Sequence, residues 1–158
     1  MALQRTLVLL KPDAVQRGLV GAILSRFENK GLKLVALKLR QFSAATIEKH
    51  YEPHKGKSFY PGLVKFMSSG PVLALALEGV DAIEVARGMI GATNSRKAAP
   101  GTIRGDLGMS FSNNLVHGSD SLESARRELA IFFPDAAEVV EWNPTQTPWV
   151  YNVAEELA

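Results

Sequence analysis

One histidine, His117, closes a short apolar run in Asn114-Leu115-Val116-His117-Gly118-Ser119-Asp120. A free imidazole titrates near pH 6.5, so at neutral pH it is largely uncharged and able to act as a nucleophile or a base. Gly118 leaves room beside it and permits backbone angles closed to other residues. Ser119 or Asp120 is expected to cap a following helix, because Glu123 stands three residues after Asp120 and an amphipathic run begins there. The heptapeptide alone fits a hydrogen-bonded histidine in a turn as well as it fits a reactive one. Cations at the ends of other segments bear on the choice: Lys11, Arg87 and Arg104, with the neutral polar groups of Thr93 and Asn114. Such a set suits a polyanionic substrate, since guanidinium forks grip phosphate oxygens at two points and a lysine supplies a point charge. Phe59, in a loop with Lys55 and Lys57, could stack on a base. Taken singly, each of these residues also reads as an ordinary solvated charge or loop aromatic.

Other chemistries fail on spacing. Gly56-Lys57-Ser58 looks like the end of a phosphate-binding P-loop, but the first glycine of that motif would fall at position 51, which is Tyr51. His50 and His54 are four apart, as in a helical zinc pair. Pro53 between them argues against a regular helix, and no glutamate follows His50 directly. Ser119 and Asp120 beside His117 do not make a hydrolytic triad, because sequence neighbours rarely converge in that geometry and no G-x-S-x-G elbow is present. With no cysteine among 158 residues, disulfides, thiolate catalysis and cysteine zinc sites are excluded. A net charge of +2 is too mild to make nucleic acid more than a side activity. No stretch approaches the ~20 apolar residues of a membrane span, and the first residues run into a strand pattern without a signal-peptide core. A cytoplasmic protein is expected.

The elements that must position these residues follow from periodicity. Thr6–Leu10 and Pro71–Leu77 are continuous apolar runs, read as buried strands, and Leu32–Phe42 alternates as a half-buried one. Leu115-Val116 falls in a fourth strand. Helices are expected over Val20–Lys30, ended by Gly31, over Ser43–Tyr51, up to Met67, over Val80–Ile90 and over Ser121–Phe133. Residues 91–107 have little periodicity and are long for a structureless connection, which marks a functional loop. The tail, with Trp142, Trp149 and Tyr151, is expected to dock. This order fits one α+β domain over residues 1–158, a four-stranded antiparallel sheet of split βαβ type with helices on one face and a short tail at 152–158.

Several separate motifs occur in one order: Lys11-Pro12-Asp13, Ser69-Gly-Pro-Val72, Gly91-Ala-Thr-Asn94, Pro100-Gly-Thr-Ile-Arg-Gly-Asp106 and Asn114-Leu-Val-His-Gly-Ser-Asp-Ser121. Together they resemble the nucleoside diphosphate kinases, in register from about residue 4 to residue 151. The resemblance implies a ferredoxin-like fold and a homo-oligomer, hexameric or else tetrameric. It implies transfer of a γ-phosphoryl group from a nucleoside triphosphate to a nucleoside diphosphate. His117 matches the histidine that is phosphorylated, Glu128 the carboxylate that orients it, and Ser119 the hydroxyl beside it. Lys11, Tyr51, Arg87, Thr93, Arg104 and Asn114 match residues around the phosphates and sugar, Tyr51 among the catalytic set. Phe59 and Leu63 match the base-contacting pair. Mg²⁺ is implied as a cofactor held mainly by the nucleotide phosphates, with no protein side chain as a dedicated ligand.

The sequence departs from the family pattern at three internal positions. Ala14 replaces a usual glycine, which predicts strain if the backbone there has a positive φ. Ser95 replaces a usual proline in a loop tied to subunit contacts. Phe111 replaces a smaller aliphatic and predicts a narrower base pocket.

Overall fold

The computed structural model describes residues 3–158. The chain runs β1 (Leu3–Leu10), α1 (Pro12–Gln16), α2 (Val20–Lys30), β2 (Lys33–Arg40), α3 (Ala44–His50), α4 (Tyr60–Met67), β3 (Val72–Val80), α5 (Ala82–Ile90), α6 (Ile103–Leu107), β4 (Val116–Gly118), α7 (Leu122–Phe132), α8 (Thr147–Val150) and α9 (Val153–Glu156). The strands lie in the order β2-β3-β1-β4, every neighbouring pair antiparallel. β1 and β2 therefore run parallel with β3 inserted between them, the split βαβ arrangement of a ferredoxin-like α+β fold.

Alternation along β1 builds two cores. Val8 and Leu10 join Leu73, Leu75 and Leu77 of β3 against Ile23 and Phe27 of α2 and Ala82, Ala86 and Ile90 of α5. Leu7 and Leu9 join Ala74 and Ala76 on the other face, against Ile47 of α3, Val64 and Met67 of α4 and Phe132 of α7. Helices thus cover both faces, which corrects the expectation of a single helical layer. The buried faces of α3, α4 and α7 need an apolar partner, and a strand with continuous apolar sequence offers one on each side. Phe27 and Phe132, each at most 1% exposed on opposite faces, contribute about 1.5–3 kcal/mol apiece by burial.

Local signals set most element ends. α2 stops at Gly31, whose φ of 99° suits glycine. The Ser43 hydroxyl accepts from Thr46 N and starts α3. The cap of α7 is Ser121, which accepts from Ser124 N at 3.0 Å, not Ser119 or Asp120 as expected. Residues 91–107 are not structureless: they hold a 3₁₀ turn, Ser95–Lys97, and α6, capped by Thr102. Ala14 lies inside α1, and the described non-glycine residues with positive φ are Asp81 and Leu115, so the strain expected at Ala14 does not arise. The tail docks through Trp142 Nε1, which donates to Leu34 O at 3.0 Å, and through the Tyr151 hydroxyl, which accepts from Val80 N, while Trp149 stays 90% exposed. Among the described residues no helix is long and apolar enough to cross a membrane.

Candidate active site

β4 places the central imidazole. His117 pairs with Leu9 across the sheet, so both side chains share one face, toward α7 and α3. α7 brings Glu128 beneath it, and Glu128 Oε2 lies 3.1 Å from His117 Nε2. The same oxygen accepts from Ser119 Oγ at 2.6 Å, and Ser119 Oγ in turn accepts from Leu7 N. The carboxylate is thus pinned by β1 and by the residue just past β4. Because a carboxylate only accepts, it draws the ring proton to Nε2 and leaves a lone pair on Nδ1.

The approach to β4 is bent. Leu115 has φ 70°, and Val116 N donates to Asn114 O at 2.8 Å, which closes a tight three-residue turn. A leucine held in this region costs of order 1–3 kcal/mol and persists only when its surroundings hold it there. Asp13 Oδ2 accepts from Leu115 N, and Lys11 N donates to Leu115 O. Arg104 completes the clamp by donating to the carbonyls of Asn114, Val116 and Gly91.

Lys11, just past the end of β1, is 7% exposed, and its Nζ donates to Asn114 Oδ1 at 2.8 Å. Burial, with Arg104 adding repulsion, lowers its pKa to about 8. Burial and then Arg87 lower that of Arg104 to about 10. Asn114 Nδ2 donates to the carbonyls of Thr93 and Phe111. Arg87, exposed on α5, reaches Gly118 O at 3.4 Å. Tyr51 is buried 6.5 Å from His117, centroid to centroid, and burial followed by the Glu128 charge pushes its phenol up. Phe59 is 53% exposed on the loop before α4, against His54 and within reach of Lys57, and Leu63 is half-buried on α4. The structure gathers His117, Glu128, Ser119, Lys11, Asn114, Arg104 and Tyr51 about one turn, with Arg87 and Thr93 at its edge and Phe59 and Leu63 on a separate loop and helix. Phe111 is 57% exposed, and its carbonyl braces Asn114.

Sequence reasoning passed over two residues. Asp13 was visible only as part of a motif, and its bond to Leu115 spans a large sequence separation. His50 was set aside with His54, yet it is 2% exposed and its ring stands 4.7 Å from that of His117. Its place three residues after Ile47 on the inner side of α3 was the available signal.

These side chains do not form a Mg²⁺ cage. Mg²⁺ asks for near-octahedral oxygen ligands, whereas the turn presents cations, and Glu128 Oε2 is already engaged by Ser119 and His117.

A ferredoxin-like sheet carrying one oriented imidazole among cations defines a phosphotransferase. The nucleoside diphosphate kinase family profile matches residues 4–138. The nucleoside diphosphate kinase of Carboxydothermus hydrogenoformans is 53% identical over 150 residues, covering 95% of this chain and all of that one. That of Chloroflexus aggregans is 53% identical over 151 residues with the same coverage. The halophilic nucleoside diphosphate kinase of Halobacterium salinarum, solved in complex with CDP, superposes with a TM-score of 0.92 at 47% identity, covering 95% of this chain and 99% of that one. The chain belongs to the nucleoside diphosphate kinase family. Its reaction moves the γ-phosphoryl group of a nucleoside triphosphate to a nucleoside diphosphate by a ping-pong route through a phosphohistidine.

Proposed function

We propose that His117 is the residue that carries the phosphoryl group. The observation supporting it is the pair of bonds converging on Glu128 Oε2. They fix the protonated nitrogen of His117 as Nε2 and leave Nδ1 as the attacking lone pair. Nδ1 forms a bond to the γ-phosphorus, the bond to the β–γ bridging oxygen breaks, and its electron pair leaves on the diphosphate. The ring gains positive charge, which the Nε2–H bond to Glu128 offsets. The second nucleotide's terminal phosphate oxygen then attacks the phosphorus, and the pair returns to Nδ1. Lys11, Arg87 and Arg104 answer charge on the phosphoryl oxygens and leaving group, Tyr51, Thr93 and Asn114 complete polar contacts to phosphates and sugar, and magnesium arrives as part of the nucleotide substrate. Phe59 and Leu63 hold the base by stacking and apolar contact, which distinguishes bases poorly and suits equilibration of nucleotide pools in the cytoplasm.

This reading includes a homo-oligomer, hexameric in the first instance and tetrameric otherwise. Leu37 and Leu39, each at least half exposed on edge strand β2, support it. Sedimentation reads the oligomer directly. The test of the chemistry is labelling with γ-labelled ATP. The label on the protein is expected to be acid-labile and base-stable, and to be absent from His117→Ala along with turnover, which should fall on the order of 10⁶-fold, the scale of losing a covalent nucleophile. Label or turnover surviving in that variant overturns the assignment.

A further inference from the structure

His50 lies beside the carrier and takes no part in the steps above. It is 2% exposed, and neither of its ring nitrogens has a hydrogen-bond partner. A buried polar group left bare costs about 1–3 kcal/mol, so such groups ordinarily find a partner. Its ring stands edge-on to that of His117 at an interplanar angle of 90°. His50, His117 and Glu128 each supply a donor atom, and the three atoms lie within 4.8 Å of one another. Two imidazoles and a carboxylate form a donor set for zinc, copper or nickel, whereas magnesium prefers oxygen alone.

We propose that in the unphosphorylated protein His50, His117 and Glu128 form a binding site for a divalent transition ion such as Zn²⁺, and that the bound ion prevents phosphorylation. Zinc–ligand bonds of about 2.0–2.2 Å set donors roughly 3.3–3.5 Å apart, so side-chain shifts of about 1 Å close the site. The His117 side chain, 21% exposed, forms its mouth, and water completes the tetrahedron there. His50 enters as an uncharged imidazole, because burial, reinforced by His117 and Arg127, holds its pKa well below the ordinary value. Lys11 and Arg127 lie close enough to repel a dication, which makes this a weaker site than a structural zinc site.

Either nitrogen of His117 yields the same block. An ion on Nδ1 occupies the attacking lone pair. An ion on Nε2 displaces the bond to Glu128, and the ring proton moves to Nδ1, which then has no lone pair to offer. Binding stands on geometry alone; the block rests on His117 being the phosphoryl carrier.

Calorimetric titration of the full, nucleotide-free chain with ZnCl₂ tests the site. One Zn²⁺ per chain is expected. His50→Gln should weaken binding at least about tenfold, and so should prior phosphorylation. Circular dichroism confirms folding of His50→Gln; if that variant does not fold, His117→Ala, at a partly exposed position, carries the same test. Unchanged affinity in a folded variant, or no binding at about 1 mM Zn²⁺, overturns the proposal. A second arm follows phosphohistidine formation at fixed free Zn²⁺, where the rate should fall with occupancy and recover with a chelator. His50-dependent binding without slowing upholds the metal site and overturns the block, while the label on His117→Ala decides separately whether His117 is the carrier.

Discussion

Strand β1 carries a cation near each end, and the protein treats the two oppositely. Near its start, Arg5 lies across from Glu78, which lies across from Lys33, so the register lines up three charges of alternating sign. Arg5 Nε and Lys33 Nζ take one Glu78 oxygen each, at 2.6 and 2.5 Å, and Arg5 Nη2 reaches Glu141 at 2.6 Å. The Arg5 guanidinium is raised by Glu141 and then Glu78 against the opposing effect of burial. Burial pushes the Glu78 carboxyl up, but the bonds from Lys33 and Arg5 outweigh it and hold the carboxyl below its usual range. Just past the other end, Lys11 is buried with a neutral amide as its partner and Arg104 as a like charge nearby. The Asp13 carboxylate opposes burial there only in part, and cations whose hydrogen bonds go to dipoles alone are poor devices for stability and good ones for receiving an anion. The paired end completes its electrostatics within the chain, and the other end leaves its cations open to an anion from outside it.

Among the charges of this comparison, removing Arg104 is expected to have the largest effect. Arg104→Ala should slow turnover about 10²–10³-fold, the scale for one preorganised donor. It should also destabilise the protein, because the carbonyls of Gly91, Asn114 and Val116 lose their donor. Single-turnover rates measured beside nucleotide affinity check this. A loss confined to affinity makes Arg104 a ground-state anchor and removes half of the contrast between the two ends.

Lys11 sharpens the contrast through pH. With its pKa at about 8, kcat/KM should fall toward tenfold per pH unit above that value, and Lys11→Arg should shift the fall upward. Stability should move the other way. The folded pKa lies below the ordinary 10.5, so between pH 8 and 10.5 the unfolded chain binds more protons and folding gains with rising pH. Lys11→Met, compared with the parent by urea unfolding across that window, should lose the gain. A parallel fall of activity and stability in the parent contradicts an unpaired buried lysine.

How much of this contrast was legible in the sequence depends on distance along the chain. Lys11, Arg104, Asn114 and His117 stand in motifs whose types and order point to a phosphate site. The kink at Leu115 left no mark, because leucine is not a residue that favours positive φ and its restraints come from Asp13, Lys11 and Arg104, far away in sequence. The Arg5–Glu78–Lys33 row depends on strand register, which includes a bulge between Leu34 and Ala36 that alternation cannot reveal. The second helical layer was missed for a related reason. Periodicity shows that α3 and α7 have an apolar face, but not which side of the sheet receives it.

At the paired end, Glu78→Gln should cost about 1–3 kcal/mol, since Arg5 and Lys33 lose a carboxylate that is itself 7% exposed. Turnover should be unchanged. Because the folded pKa of Glu78 is depressed, its contribution is present above about pH 4.5 and is lost as pH falls through the folded value, so the parent and the variant should converge in acid. Urea midpoints at pH 7 and pH 3 check this. An equal difference at both pH values would trace the loss to packing instead of charge.

The smallest effect belongs to Glu141, where the row of charges reaches solvent. Its side chain is 70% exposed, although Arg5 Nη2 reaches both of its oxygens at 2.6 Å. Exposure screens the attraction, and holding two long side chains in register costs entropy, so pairs of this kind contribute roughly 0–1 kcal/mol. Glu141→Gln should therefore lower stability by no more than that, and the difference should shrink as salt shortens the reach of charge to about 3 Å at 1 M. Arg5 would keep Glu78 as its partner, so no buried cation is stranded. The informative experiment is the double variant Glu78→Gln with Glu141→Gln. If Glu141 only tops a row already closed by Glu78, its own removal matters little, but it becomes the last carboxylate available to Arg5 once Glu78 is gone. The double variant should then lose more than the sum of the singles. Strict additivity in urea unfolding would mean that the two carboxylates act independently, and that the paired end of β1 is a set of separate contacts instead of one network.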